Sequence, residues 1–100
     1  MITEKDVFLA CLGAVKRWGK ESQVRMCLEE MAELQTELCR EPRGRSSKER
    51  IAEEIADVSI MLVQMGIIFD CKDKVDAFAE RKIVRLFQRI REEDGLNGNV

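Results

Sequence analysis

An all-α fold of four helices is predicted by three features of this sequence. Apolar residues recur at spacings of three and four along the chain. No stretch alternates apolar and polar with period two, and no hairpin signal occurs. Helix-breaking residues, Gly19 and the Pro42–Gly44 stretch, fall where the periodic stretches end. With 100 residues, 45% apolar, the chain has the size and material of one folded domain spanning 1–100. A domain this small buries only part of its surface, so association with further copies would stabilise it.

The first helix is expected from about Glu4 to Trp18. Thr3 is its N-cap, with Asp6 three residues on as a variant of the capping box. Val7, Phe8, Cys11, Leu12 and Val15 form its apolar stripe, and Gly19 ends it. The second runs from about Glu21 to Arg40, with Val24, Cys27, Leu28, Met31, Leu34 and Leu38 as the buried stripe. Pro42 and Gly44 stop it, and the loop continues through Ser47. The third helix opens on Ser46-x-x-Glu49, a capping-box pattern, and runs to about Phe69. It is apolar almost all round and should be the central helix. Asp70 is placed to cap a fourth helix ending near Asp94, with a frayed tail from about 95.

Composition removes whole classes of chemistry. Histidine is absent, which excludes Ser-His and Cys-His nucleophile pairs, Cys2His2 zinc sites and the usual helical di-iron centres. Proton transfer must run on carboxylates, lysine or water. A formal net charge of -2 argues against a nucleic-acid binder. Cys11, Cys27, Cys39 and Cys71 form no C-x-x-C pair and are read as small buried hydrophobes. The longest apolar run, Ile60 to Phe69, is broken by Gln64 and Gly66 and falls far short of the ~20 residues that span a bilayer. With no signal peptide read at the N-terminus, a reducing cytoplasm is the expected location, without membrane attachment.

The informative residues are acidic. The second helix carries Glu29-Glu30-Met31-Ala32-Glu33 and the third Glu53-Glu54-Ile55-Ala56-Asp57. Residues three apart share a helix face, so Glu30 pairs with Glu33 and Glu54 with Asp57. On a helical wheel Glu54 lies within about 40° of Val58, Met61 and Met65, so it points toward the core. A buried unpaired carboxylate costs several kcal/mol unless it is neutralised. Carboxylate oxygens are the ligands Mg²⁺ prefers, and a divalent cation offsets both burial and mutual repulsion. Glu30, Glu33, Glu54 and Asp57 are therefore the candidate metal ligands. The bland alternative is a solvated acidic surface, with Arg50 paired to Glu54 at i,i+4.

The fourth helix carries Arg81, Lys82, Arg85, Arg89 and Arg91 with no acidic residue between them. Lys82 and Arg85 flank an apolar stripe and are the candidate phosphate-binding pair; the alternative is a solvated basic face. Trp18 and Gln23, at the first helix junction, are candidates for stacking on a base and hydrogen-bonding it. A core Trp and an exposed Gln are the plain alternatives.

Glu30-x-x-Glu33, twenty intervening residues, then Glu54-x-x-Asp57 resembles the signature of the MazG-like all-α nucleoside triphosphate pyrophosphohydrolases. Trp18-Gly19, Gln23, Glu29 to Leu34 and Glu53 to Val58 are similar to the short, phage-associated branch, as is the stretch Lys82 to Arg85. The resemblance covers about residues 15 to 90. It implies a four-helix bundle of the all-α NTP pyrophosphatase type, forming a homo-oligomer; the sequence does not distinguish dimer from tetramer, and the tetramer is the preferred expectation. It also implies a Mg²⁺-dependent enzyme, with Mn²⁺ as a substitute, that cleaves a nucleoside triphosphate between the α- and β-phosphates. Glu30, Glu33, Glu54 and Asp57 are by that likeness the metal ligands. Glu33 is the first choice for the base that takes the proton of water, ahead of Glu29 or Glu53. Glu54 is the second catalytic carboxylate. Two other readings stand beside it: a helical interaction protein without chemistry, and a nucleotide sensor with weak turnover.

Overall fold

A computed structural model of the chain describes residues 1–96, with side-chain environments through 95. The described residues contain four α-helices and no strand: α1 (Glu4–Trp18), α2 (Lys20–Arg40), α3 (Lys48–Ile68) and α4 (Lys72–Leu96). A short 3-10 turn, Glu41–Arg43, follows α2. Helix α4 runs past the expected end at Asp94. The rest of the expected frayed tail, from Asn97 on, lies outside the described residues. The all-α expectation is met.

The helix starts show which local signals act. Thr3 and Asp6 close a full capping box on α1. The Thr3 backbone N–H and hydroxyl each donate to Asp6 Oδ2 at 2.9 Å, and the Asp6 N–H donates to Thr3 Oγ1 at 3.1 Å. The Thr3 N–H, then its hydroxyl, hold the Asp6 carboxyl below its ordinary range. Gly19 separates α1 from α2 with φ 92 and ψ 157, so α2 begins one residue earlier than expected. Helix α3 is capped by Ser47, whose Oγ accepts from the Arg50 N–H at 3.2 Å, and not by the expected Ser46–Glu49 box. Ser46 Oγ instead donates to Glu37 Oε1 at 2.7 Å, tying the loop back to α2. Asp70 does not cap α4 either. It takes a left-handed φ of 48, its N–H donates to the Ile67 carbonyl, and the Cys71 carbonyl receives the first bond of the new helix from Val75.

The chain divides into two compact units, Met1–Asp70 and a second that starts at Cys71. In the first, α3 packs along α2 and also against α1, while α1 and α2 touch less. The expected central position of α3 holds within this unit. The loop bond from Ser46 to Glu37 and the turn at Gly44 (φ 69) bring α3 back antiparallel to α2.

The buried face of α2 matches the expected one only in part. Val24, Cys27 and Leu34 of the expected stripe are buried or half-buried, as are Gln23, Glu30 and Glu37, whereas Leu28, Met31 and Leu38 are exposed. On a helical wheel the observed buried set is centred roughly 60° from the expected stripe. Phe8 of the α1 stripe is also exposed. The buried apolar residues among those described are Cys11, Cys27 and Met61; Gln23 and Gln64 are enclosed to a similar degree. Cys11 Sγ lies 3.7 Å from the Ile60 carbonyl, and burial pushes its thiol pKa up. Not every cysteine is a small core residue: Cys71 is half-buried, and Cys39 is exposed because it lies about 160° round α2 from Gln23.

In the second unit, α4 carries Val75, Ile83, Leu86, Phe87 and Ile90 on one side, all exposed. Arg81 sits over the Phe78 ring, 4.6 Å from its centroid.

Two glycine substitutions should move stability in opposite directions. A Cβ at either Gly19 or Gly13 meets nothing within 4 Å, so backbone conformation alone decides. Gly19→Ala forces alanine into a region that only glycine populates and should cost about 1–3 kcal/mol. Gly13→Ala, inside α1, should gain about 0.5–1 kcal/mol. Denaturant unfolding of both variants checks the pair.

Candidate functional site

The acidic residues come together where α2 and α3 run side by side. One carboxylate oxygen each of Glu30, Glu33 and Glu54 lies within 4.8 Å of the other two. Glu30 and Glu33 come from successive turns of α2, and Glu54 from the facing side of α3. Glu30 and Glu54 are half-buried and Glu33 is exposed, so the group is closed on the helix side and open to water on the other.

The inner oxygens have no partner. Oε2 of Glu30 and Oε2 of Glu54 are enclosed and accept no hydrogen bond. Such an atom loses its hydration and gains nothing in return, a state that folded proteins rarely keep. Burial, followed by the charges of Glu33, Asp57 and Glu54, raises the Glu30 pKa above its ordinary 4.5. Burial, then Glu33, Asp57 and Glu53, raises that of Glu54 in the same way. In both, a contact from the Glu33 carboxyl adds to the rise.

This donor set suits a hard divalent cation. Oxygen ligands about 2.1 Å from Mg²⁺ stand roughly 3–4.2 Å from each other, so side-chain adjustment alone would close the triad on an ion. Asp57, the fourth candidate, is half-buried on α3 and close enough to act on both Glu30 and Glu54, but it is not one of the mutually close three.

A cleft of about 330 Å³ adjoins the triad and is lined by Glu37, Arg50, Glu53 and Glu54. Glu37 accepts from Ser46 and lies 3.6 Å from Arg40. The Arg50–Glu54 ion pair considered from the sequence does not form, and among the described residues Arg50 has no carboxylate within ion-pair distance. Neither Glu37 nor Arg50 was singled out as a site residue from the sequence. The signal for Glu37 was its seven-residue step from Glu30, which repeats the face of Gln23 and Glu30. Arg50 gave only an i,i+4 spacing that reads as a surface pair.

The remaining candidates are distributed more widely. Trp18 is 61% exposed and lines a cleft of about 520 Å³ with Gly19, Lys20, Glu21, Ser22 and Arg25. That cleft is the larger of the two, but its α2 residues lie roughly 7 to 15 Å along the helix from Glu30. Neither plain reading of this pair holds, because the Trp is exposed and Gln23 is 5% exposed. Gln23 does not line the Trp18 cleft. On α3, Gln64 is equally buried and its Oε1 is without a partner. Lys82 and Arg85 are exposed on α4, in the second unit.

Comparison with protein-family models, with curated proteins and with solved structures finds no match to this chain.

The raised carboxylates fix the sign of a pH dependence. In the folded chain Glu30 and Glu54 keep protons that the unfolded chain has released above about pH 4.5. Stability of the metal-free protein should therefore fall as pH rises from about 4.5 through the elevated folded values, and then level off. Melting curves in chelator across that range check this, and Glu30→Gln with Glu54→Gln should flatten the fall.

Proposed function

We propose that this chain is a Mg²⁺-dependent nucleoside triphosphate pyrophosphohydrolase. It hydrolyses a (deoxy)nucleoside triphosphate between the α- and β-phosphates to the monophosphate and pyrophosphate. The observation that carries the reading is the triad of Glu30, Glu33 and Glu54, with two enclosed oxygens that lack any donor. The choice of bond rests on the resemblance of the paired acidic motifs and their flanking strings to the MazG-like family.

Glu30 and Glu54 would hold the ion through their enclosed oxygens, with Glu33 and Asp57 completing the acidic set. A bound Mg²⁺ supplies polarisation of phosphate oxygens and acidification of water. Glu33 faces solvent beside the other two and takes the proton of the attacking water. The family resemblance gives Lys82 and Arg85 a phosphate-binding role, and Trp18 offers an exposed ring on which a base stacks. Most of the catalysis is positioning and electrostatics, as is general for phosphoryl transfer.

The exposed Leu28, Met31 and Leu38 of α2, Ile55 and Leu62 of α3 and the apolar side of α4 support a homo-oligomer. A tetramer is favoured, with a cytoplasmic location and no nucleic-acid partner. No helix among the described residues is long and apolar enough to cross a membrane. The same exposed faces favour the second reading, a helical interaction protein without chemistry.

Pyrophosphate release from canonical and modified NTPs and dNTPs, with Mg²⁺, Mn²⁺ or chelator, separates the readings. Metal-dependent pyrophosphate with matching monophosphate is expected, and Glu54→Gln should lower the rate by roughly a hundredfold or more while the fold survives. Orthophosphate with a diphosphate product would refute the bond assignment. The wild-type melting point should rise with Mg²⁺ plus nucleotide. A rise without product marks a sensor, and neither rise nor product leaves the interaction protein.

A further inference from the structure

The cleft beside the triad holds a cation that the sequence pattern assigned to a surface pair. Arg50 shares it with Glu37, Glu53 and Glu54. Its spacing to Glu54 is one that commonly pairs on a helix, yet its guanidinium pairs with none of these carboxylates. Two of the three are engaged or turned elsewhere. Glu37 holds Ser46 and lies against Arg40. Glu54 places a carboxylate oxygen in the triad and encloses its Oε2. Arg50 is thus left with its full set of donors at the edge of the acidic group.

Glu54 belongs to both the triad and the cleft, so a ligand anchored at the triad extends directly into the cleft. Arg50 stands one turn before Glu54, about 6 Å of helix rise. With three carboxylates to one guanidinium, the cleft repels a free anion. It suits an anion that arrives already paired with a divalent cation. The planar guanidinium fork matches two oxygens of one phosphate, which a lysine point charge does not.

We propose that Arg50 binds the diphosphate end of a metal-complexed nucleoside triphosphate, and so selects for the phosphate chain rather than for a monophosphate. This deepens the proposed function and rests on it. Lys82 and Arg85 are not required for this contact.

The test uses the full chain as wild type, Arg50→Gln and Arg50→Lys, with calorimetric titration of Mg²⁺ alone and of magnesium pyrophosphate, beside steady-state pyrophosphate release. Arg50 is exposed and its guanidinium enters no ion pair among the described residues, so both variants should fold; their far-UV spectra and melting points verify it. For Arg50→Gln, Mg²⁺ affinity should stay within about twofold. Magnesium pyrophosphate affinity and kcat/KM should fall roughly tenfold or more, the size of a lost charge-assisted hydrogen bond. Arg50→Lys should recover only part of this. An active wild type whose Arg50→Gln variant keeps pyrophosphate affinity and kcat/KM overturns the Arg50 role and leaves the proposed function standing. Loss of Mg²⁺ binding itself in Arg50→Gln also overturns it, because Arg50 would then act on the carboxylates. A wild type that neither binds Mg²⁺ nor releases pyrophosphate removes both.

Discussion

The first unit depends on how α2 and α3 accommodate carboxylates in the surface they share. Glu30 and Glu54 lie half-buried where two apolar helices would ordinarily place leucines, and each encloses an oxygen with no donor. Like charges within 4.8 Å, partly withdrawn from water, oppose the packing that brings them together. A seam built this way is a poor solution for stability alone. Proteins that violate local packing rules usually do so at functional positions, and this seam is the place where the chain does so most plainly.

Several features follow from that choice. Turning the glutamate face of α2 toward α3 turns Leu28, Met31 and Leu38 outward. The core is then thin, with Cys11, Cys27 and Met61 as its buried apolar members among the described residues and two glutamines similarly enclosed. Buried amides are costly unless satisfied, and the Oε1 of Gln64 is not. The chain therefore joins an under-satisfied polar interior to an apolar exterior. A cation or ligand would relieve the first, and other polypeptide would cover the second. The loop between α2 and α3 is tied down locally, through Ser46 to Glu37 and Ser47 to the Arg50 N–H, which sets the register that brings Glu54 opposite Glu30.

Much of this was legible in the residues themselves. The capping box of Thr3 and Asp6, the break at Gly19 and the stop at Pro42–Gly44 are local signals, and each acts as read or within a residue of it. The acidic pairs were legible because three-residue spacing places two side chains on one helix face in any context. The serine that caps α3 was misjudged, since Ser46 and Ser47 carry the same local signal. A contact with Glu37, nine residues away, determines which of them is free to cap. Asp70 was misjudged for a similar reason. Aspartate is at home both as an N-cap and in the left-handed conformation, and the chain uses the second.

Sequence alone determined the all-α class, the helix spans and the pairing of carboxylates within each helix, because these follow from backbone periodicity and nearest-neighbour chemistry. Tertiary structure decided which side of α2 is buried, that Glu30, Glu33 and Glu54 form the close triad with Asp57 outside it, and that Arg50 faces a cleft without a partner. Those outcomes depend on how one helix is rotated against another. A rotation of about 60° exchanges leucines for glutamates at the seam, and hydrophobic pattern weighs only the transfer of each side chain from water. It is blind to two acidic faces that meet across a packed surface.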